Sequence, residues 1–547
     1  MAAMSSLPQL LSARIEAVAG VDPELRAATK PQFGHFQSNV ALRLAKAEGR
    51  PPREVAQRLV EQADLADLCE PPEVAGPGFI NLRLRTDVLA AAATEVLSDP
   101  RHGVVPEGGS TVVIDYSGPN VAKQMHVGHL RSTIIGDCLA RVLRSLGHTV
   151  VAQNHIGDWG RQFGMLVEQI LLEGLDVADL DLPGAEELYR RANDHLKADG
   201  SFADAARRRV VLLQSGDEET LTIWRQLIDV SLAGFRESYA RLGVLLTDED
   251  LAGESTYNDA LPSVVEDLEA SGAAVVDDDA LVVFVEGFNA PMIVRKRDGG
   301  FGYSATDLAA IRHRVRDLHA DRILYVVGTE QTFHFNQVFA VARKAGFLPE
   351  DVRAEHVGYG MVLGADGKRL RTRDGGTMKL TTLLDAAEER AARPIALAAV
   401  KYADLSNSLV KDYVFDLDRM VQTTGDTGPY LQYAHARLCQ VLARAVAEGY
   451  PVGESVTLLA EPAEQTLALL LTRFGEVVTE VGETLQPHRL CTYLYELSGA
   501  LSTFYEQCPV LKSEADVRTS RLALCTATRD VLATGLDLLG IEAPERM

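Results

Sequence analysis

The stretch from Val112 to Gly157, VVIDYSGPNVAKQMHVGHLRSTIIGDCLARVLRSLGHTVVAQNHIG, decides the fold. Thr111 to Ile114 is a β-branched run with glycines behind it and Ser117-Gly118-Pro119-Asn120 ahead, which reads as a buried strand ending in a turn. Val127, Leu130, Ile134, Ile135, Cys138, Leu139, Val142 and Leu143 then recur at helical spacing until Gly147 stops them. A second strand follows from Thr149 to Ala152. This β-loop-α-β unit is the basic piece of a parallel α/β sheet.

The loop between strand and helix carries the chemistry. His126 and His129 stand three residues apart at the helix start, so both rings can share one face. Free backbone N–H groups and the positive helix end beside them suit an anion such as phosphate. Lys123 adds a mobile point charge just upstream. No G-x-x-x-x-G-K-[ST] run is present here, which excludes a P-loop at this position. A lone H-x-x-H also fits capping or core histidines. The crowding of Pro119, Asn120, Lys123, His126, Gly128 and His129 into one strand-to-helix loop favours a site.

The run His126-Val127-Gly128-His129 resembles the first nucleotide-binding signature of class I aminoacyl-tRNA synthetases. The wider match, Ser117-Gly118-Pro119-Asn120-Val121-Ala122-Lys123 with His129-Leu130-Arg131-Ser132-Thr133, is similar to arginyl-tRNA synthetases in particular.

Composition bounds the alternatives. The 547 residues suggest about three or four domains, and 46% hydrophobic with 24% charged residues is ordinary for a globular chain. No run is long and apolar enough to suggest a membrane span, and the first twenty residues lack the basic start of a signal peptide. Six cysteines are scattered with no C-x-x-C pair, which argues against a zinc ribbon or a disulfide framework and fits a reducing cytoplasm. The formal charge of −23 argues weakly against nucleic-acid binding. A tRNA enzyme would have to concentrate its 54 Lys and Arg residues on one surface.

Taken in order, residues 1–98 read as a small α/β or α+β module, equally readable as a packing or linker domain, with amphipathic helical patterns at Leu7 to Val18, Asn39 to Ala47 and Pro52 to Ala63. Phe33-Gly-His-Phe-Gln-Ser-Asn39 and Ala75-Gly-Pro-Gly-Phe-Ile-Asn-Leu82 resemble the N-terminal domain of arginyl-tRNA synthetases, which touches the tRNA elbow; Phe33 and Gln37 are the residues this implies. Asp99 to Gly109 is the linker. Asn154-His-Ile-Gly-Asp-Trp-Gly-Arg-Gln-Phe-Gly164 follows the second strand at its carboxyl end, where open α/β sheets bind ligands. Polar helical sequence over about 184–250 reads as an insertion between two halves of the sheet, equally consistent with solvated helices that touch no ligand.

The second half of the sheet opens with Gly302-Tyr303-Ser304-Ala305-Thr306-Asp307, a helix start with Ser304 or Thr306 as possible cap. Tyr303 and Asp307 can share one face. The apolar strand Arg322 to Val327 ends in Gly328-Thr329-Glu330-Gln331-Thr332-Phe333-His334, a polar loop where a nucleotide sugar would sit. Residues 358–380 contain five basic side chains between 368 and 379 (Lys368, Arg369, Arg371, Arg373, Lys379) against one acid, Asp374. Such a loop suits the charge of a departing pyrophosphate, and equally a solvated hairpin tip. Its position corresponds to the second class I signature, K-M-S-K-S, with Arg369 and Thr372 in place of the two lysines. Lys123 is then the candidate to supply the missing charge.

From residue 393 the pattern is helical. Thr427-Gly-Pro-Tyr-Leu-Gln-Tyr-Ala-His-Ala-Arg437 interleaves aromatics with Arg, as stacking of unpaired bases would need. It resembles the family's anticodon-binding domain and implies Tyr430, Gln432, Tyr433 and Arg437 as tRNA contacts. The ending Ala543-Pro-Glu-Arg-Met547 also resembles the family, which puts the last residues near the bundle core.

The expected architecture is therefore α/β. It has a small N-terminal module (1–98), a Rossmann-like parallel-sheet catalytic domain (110–392, with an inserted helical region and a signature-loop region at 356–392), and an all-α C-terminal bundle (393–547). The resemblance implies an arginine–tRNA ligase that forms arginyl-adenylate from L-arginine and ATP with Mg²⁺ and without zinc, then loads the 2′-OH of tRNA(Arg). A cationic guanidinium is best met by carboxylates and an aromatic or amide neighbour. The family's pattern assigns Asp115, Tyr303 and Asp307 to the guanidinium, with Asn120 and Gln331 nearer the α-amino and carboxylate end. ATP falls to His126, Gly128, His129, Gly328, Glu330, His334, Arg369, Arg371 and the backbone of Met361 and Val362, with Lys123, His126 and His129 as catalytic. The resemblance further implies a cytoplasmic, mostly monomeric enzyme with no membrane and no stable protein partner. Another class I synthetase, or a non-catalytic arginine- or tRNA-binding paralogue, is the alternative.

Overall fold

Val112, Val113 and Ile114 are at most 1% exposed, so the first strand, β1 (Thr111–Asp115), lies inside a sheet covered on both faces. The structure is a computed structural model and describes residues 6–28, 30–297, 299–371 and 377–547. β1 is flanked in parallel by β2 (Thr149–Gln153) and β3 (Arg322–Tyr325), and β4 (Arg353–His356) completes the order β4-β3-β1-β2. The chain leaves β1 toward one side and its later half returns on the other. The gap between the carboxyl ends of β1 and β3 is thus a topological switch point, where open α/β sheets take ligands. Asp115 and Tyr325 are the paired last residues there.

The signature helix, Val127–Ser145, packs its apolar stripe under the sheet. Gly136 permits this: an added Cβ would lie only 2.3–2.5 Å from the Tyr116 side chain. The inserted region comprises helices Arg161–Glu173, Leu182–Ala198, Gly200–Ser215 and Glu218–Leu242. Its longest helix supports the signature loop directly, because Ala122 N–H donates to Ser231 Oγ (2.9 Å) and Tyr239 bonds Ser117 Oγ (2.7 Å) and Asn154 (2.9 Å). A three-stranded antiparallel sheet, Val275–Asp277, Ala280–Val283 and Met292–Arg295, was not apparent in the sequence pattern. It leads into the helix Tyr303–Arg316, whose N-cap is Gly302 with no side-chain cap; Ser304 and Thr306 lie inside the helix and do not cap it.

The N-terminal module is a four-stranded antiparallel sheet with three helices, Leu7–Ala19, Val40–Glu48 and Pro52–Gln62. The helix Thr86–Ser98, expected with this module, packs instead against the bundle helices Pro462–Leu471 and Ala515–Leu538. Thr94 Oγ1 accepts the Val456 N–H at 2.9 Å across that contact. The bundle begins with Arg393–Leu405 and Gly428–Ala447. Gln432 is buried in it, donating to the carbonyls of Glu542 (2.8 Å) and Pro394 (3.2 Å), while His435 meets Pro544 O at 3.0 Å. Gln432, expected at a tRNA base, is therefore a core residue that pins the C-terminal tail.

Overpacking a filled core costs about 1–3 kcal/mol. Gly136→Ala is accordingly expected to lower unfolding stability by that amount, read as a reduced urea midpoint at unchanged slope.

Candidate active site

The loop after β1 folds as a docked arch. Val121 N–H donates to Gly157 O and Gly157 N–H to Pro119 O, each at 3.1 Å, so the loops after β1 and β2 lie side by side. The signature helix then starts with two imidazoles as its caps. His126 Nδ1 accepts the Gly128 N–H, and His129 Nδ1 accepts the His126 N–H, both at 3.0 Å. The rings stack with centroids 3.9 Å apart. Because each Nδ1 is an acceptor, the neutral ring carries its proton on Nε2, leaving two N–H donors beside the helix mouth. Burial, and then the positive charge of Arg369, lowers the His126 pKa; burial, and then His126 and Lys123, lowers that of His129 to about 3. Both rings are capping residues and cavity residues together.

The family resemblance puts Gly128 at ATP, where a glycine leaves room for the nucleotide. The nearer constraint is internal: a Cβ there would meet the His126 ring at 2.9 Å.

One cavity of about 400 Å³ opens at the switch point. It is lined by Asp115, Asn120, His126, Gly128 and His129 from the first half of the sheet, and by Tyr303, Asp307, Gly328, Glu330, Gln331, His334, Met361, Val362 and Arg369 from the second. Lys123 and Arg371 are not in this lining. Lys123 Nζ sits 4.2 Å from the centroid of Tyr189, on the inserted helix Leu182–Ala198. Glu186, one turn earlier, takes Lys379 and Gln124, each at 2.8 Å. The inserted helices therefore hold the lysines around the signature loop and are not merely solvated. Arg371 is exposed and bridges to Thr377; Thr372, Arg373 and Asp374 of the second basic loop lie outside the described residues.

The carboxylates are not equivalent. Asp115 is buried with one oxygen on Arg314 Nη2 (2.7 Å), and Arg314 Nε also donates to Gln153 (2.6 Å). Asp115 is thus half of an internal ion pair: of the two acids that the resemblance assigns to the guanidinium, with the fork left open between them, it is the one already engaged by an arginine of the chain. Asp307 accepts from His334 Nε2 at 2.8 Å, and this hydrogen bond raises the His334 pKa. His334, expected at the nucleotide, is therefore tied to a carboxylate expected on the amino-acid side.

A further acid, Glu254, lines the same cavity and stands in no motif read from the sequence. It is held by the Asn154–Gly164 run: its N–H donates to Ile156 O (3.1 Å), while Asp158 takes Ser255 N–H (2.8 Å) and Oγ (2.6 Å). Gly253 lets Asp158 close in, since a Cβ there would lie 2.4 Å from its carboxylate. Burial, and then the charges of Asp158 and Asp307, raises the Glu254 pKa to about 7. Such a group is poised to ionise when a cation arrives. Among the described residues, no three His, Cys, Asp or Glu side chains converge as a metal site.

In the bundle, Tyr433 is 46% exposed, Tyr430 is half-buried against Tyr495, and the Arg437 guanidinium lies 4.0 Å from the Tyr505 ring. In the N-terminal module, Gln37 donates to Asn81 Oδ1 (2.7 Å) and Phe33 is half-buried.

A parallel sheet with imidazole caps at its switch point, continued by a helical bundle, matches the model of class I tRNA synthetases (R), catalytic domain, over residues 93–417. The class is therefore that of the class I aminoacyl-tRNA synthetases. Residues 5–84 match the arginyl-tRNA synthetase N-terminal domain, and residues 431–547 match the DALR anticodon-binding domain. The chain is 66% identical to the arginine–tRNA ligase of Cutibacterium acnes, with all of both chains covered, and 50% identical to that of Thermobifida fusca, covering 96% and 95%. Arginyl-tRNA synthetases of Plasmodium falciparum and Thermus thermophilus superpose with TM-scores of 0.84 and 0.82 at 26% identity, over 100% and 99% of this chain and all of theirs. The chain belongs to the arginyl-tRNA synthetases, the ATP-dependent arginine–tRNA ligases of the class.

Gly128→Ala is expected to displace the His126 ring and lower the aminoacylation rate by about tenfold or more, the loss typical of one misplaced transition-state donor. The melting temperature should stay within a few degrees, so a steady-state assay beside a thermal melt checks it.

Proposed function

We propose that this cavity joins L-arginine to ATP. The observation that carries the reading is the single cavity in which two imidazoles at a helix mouth share space with Asp307 and Glu254. A guanidinium presents five donors in a planar fork, which two carboxylates on adjacent walls can satisfy. Asp307 and Glu254 take that end, with the Tyr303 ring beside it. Asp115 keeps one oxygen on Arg314 and presents its carboxyl edge to the substrate's α-ammonium, near Asn120 and Gln331.

ATP occupies the other half as the Mg²⁺ complex, with Mg²⁺ arriving as part of that substrate. The Nε2–H groups of His126 and His129 donate to its phosphates, where the positive helix end adds to their effect. Gly328 and Glu330 receive the ribose, and the backbone at Met361 and Val362 the base. Arginine's carboxylate oxygen attacks the α-phosphorus in line, forming the acyl–phosphate bond while the bond to pyrophosphate breaks. The protein's contribution is positioning and charge neutralisation. Arg369 and Lys123 offset the charge on the leaving pyrophosphate, Lys123 by moving off the Tyr189 ring. In the second step a terminal ribose hydroxyl of tRNA, the 2′-OH in this class, attacks the activated carbonyl and AMP leaves. Exposed Tyr433 is the bundle's aromatic candidate for stacking an unpaired base. A cytoplasmic setting fits a chain with six cysteines in no disulfide among the described residues and no helix long and apolar enough to cross a membrane.

An aminoacylation assay across the twenty protein amino acids tests the reading. Arginine should be the one charged, and Asp307→Asn should raise KM for arginine by about tenfold or more. Charging of another amino acid, or an unaltered arginine KM, would falsify the assignment.

Glu254 also predicts a pH effect. In the free enzyme it is protonated below about 7, and cationic arginine favours its ionised form. Hence kcat/KM for arginine should fall as pH drops through 7, while Glu254→Gln should bind arginine more weakly and lose that part of the dependence. His334, whose pKa is raised by its hydrogen bond to Asp307, is present in both proteins, so the comparison isolates the part due to Glu254.

A further inference from the structure

The peptide assigned to the base is held from outside the catalytic sheet. Gly360 N–H donates to Leu409 O (2.9 Å), Met361 N–H to Asp412 Oδ1 (2.6 Å), and Tyr413 N–H to Met361 O (3.2 Å). Val362–Leu363 runs parallel to Tyr413–Val414 as a two-stranded ribbon. These partners lie in 406–415, the first part of the connector (406–427) between the first two long helices of the bundle. The Gly360 carbonyl accepts from Arg131 Nη1 at 2.8 Å. Arg131 lies two residues past His129 and is 1% exposed. Its Nε meets Asp404 at 3.1 Å, on the bundle's entry helix, and its guanidinium lies between the rings of Tyr359 and Tyr413. The fit is close: a Cβ on Gly360 would lie 2.6 Å from Asp412 Oδ1 and 2.8 Å from the Lys411 carbonyl carbon.

At residues 361 and 362, three backbone groups are already engaged: Met361 N–H by Asp412, Met361 C=O by Tyr413, and Val362 C=O by Leu370 N–H (2.9 Å). Among the described residues the Val362 N–H enters none of these bonds, so it is the donor left for a ring nitrogen of adenine.

We propose that Asp412 is a positioning residue for ATP. Its carboxylate fixes the 360–361 peptide through the Met361 N–H, and Tyr413 N–H fixes the next peptide through Met361 O; held at both ends of Met361, the chain turns the Val362 N–H away from the connector and toward the base. The bundle thereby forms one wall of the nucleotide site, with Arg131 joining that wall to the signature helix. This rests on the reading that the base is received at residues 361–362. Asp412 is exposed and reaches the peptide with its side chain, so it can be changed without opening the core.

The test uses the full chain with tRNA present, measuring arginine-dependent ATP–pyrophosphate exchange for Asp412→Ala, Asp412→Asn and Gly360→Ala. Loss of a charge-assisted hydrogen bond should raise KM for ATP about tenfold in D412A, with KM for arginine and the melting temperature unchanged. D412N keeps an accepting oxygen and should stay within about twofold of the parent. G360A should raise KM for ATP through the added Cβ. A raised value in G360A with none in D412A overturns the role of Asp412 and leaves the base reading standing. No change in either variant overturns the base reading itself. KM values for ATP and arginine rising together, or D412N failing as D412A does, also overturn the proposal, because that is the mark of a general structural defect.

Discussion

Two backbone N–H groups at the head of one helix, each taken by an imidazole nitrogen, are the constraint on which the rest of the site depends. A helix start leaves its first amides without internal partners, and hydroxyls or carboxylates usually satisfy them. Here His126 and His129 do so through Nδ1. Capping in this way sets the tautomer, turns both Nε2–H groups into donors and stacks the rings. Capping therefore occupies one nitrogen of each ring and leaves the other as a donor. Burial lowers the pKa of both rings, so the pair can offer directed hydrogen bonds without carrying charge, and the positive charges that bear on them are those of Arg369 and Lys123.

The acids opposite show how a cation site can be built without an unpaired buried charge. Removing a carboxylate from water is costly unless it is paired or becomes protonated. Asp115 is paired with Arg314, Asp307 is hydrogen-bonded by His334, and Glu254 is raised toward neutrality by burial and its acidic neighbours. Each acid thus has its charge offset or suppressed within the fold itself.

The cavity is also a junction between regions distant in sequence. Its floor comes from β1 and β3, one wall from the turn at Glu254, and another from a loop bonded to the bundle connector. The inserted helix reaches the same place with Glu186 and Tyr189. Small shifts of bundle or insertion would therefore be felt at the nucleotide, because packed interfaces transmit displacement instead of absorbing it.

The sequence by itself determined the parts whose signal is local. The β-branched run, the helical stripe from Val127 to Leu143 and the turn glycines define the first βαβ unit, because strand and helix periods are written in neighbouring residues. The crowded loop from Pro119 to His129 marked the site for the same reason, and the order of motifs identified the class. Only the tertiary structure decided which polar side chains are free. Asp115 was legible as an acid at a strand end, but not as the partner of Arg314, nearly two hundred residues away. Gln432 had the composition of a base-reading segment, yet folds inward to hold the C-terminal tail. Glu254 carried no periodic or motif signal, since its place is set by a hydrogen-bonded turn on Asp158. Charge and hydrogen-bonding capacity can be read from a residue's name. Whether that capacity is already consumed depends on what the fold brings within about three ångströms of it.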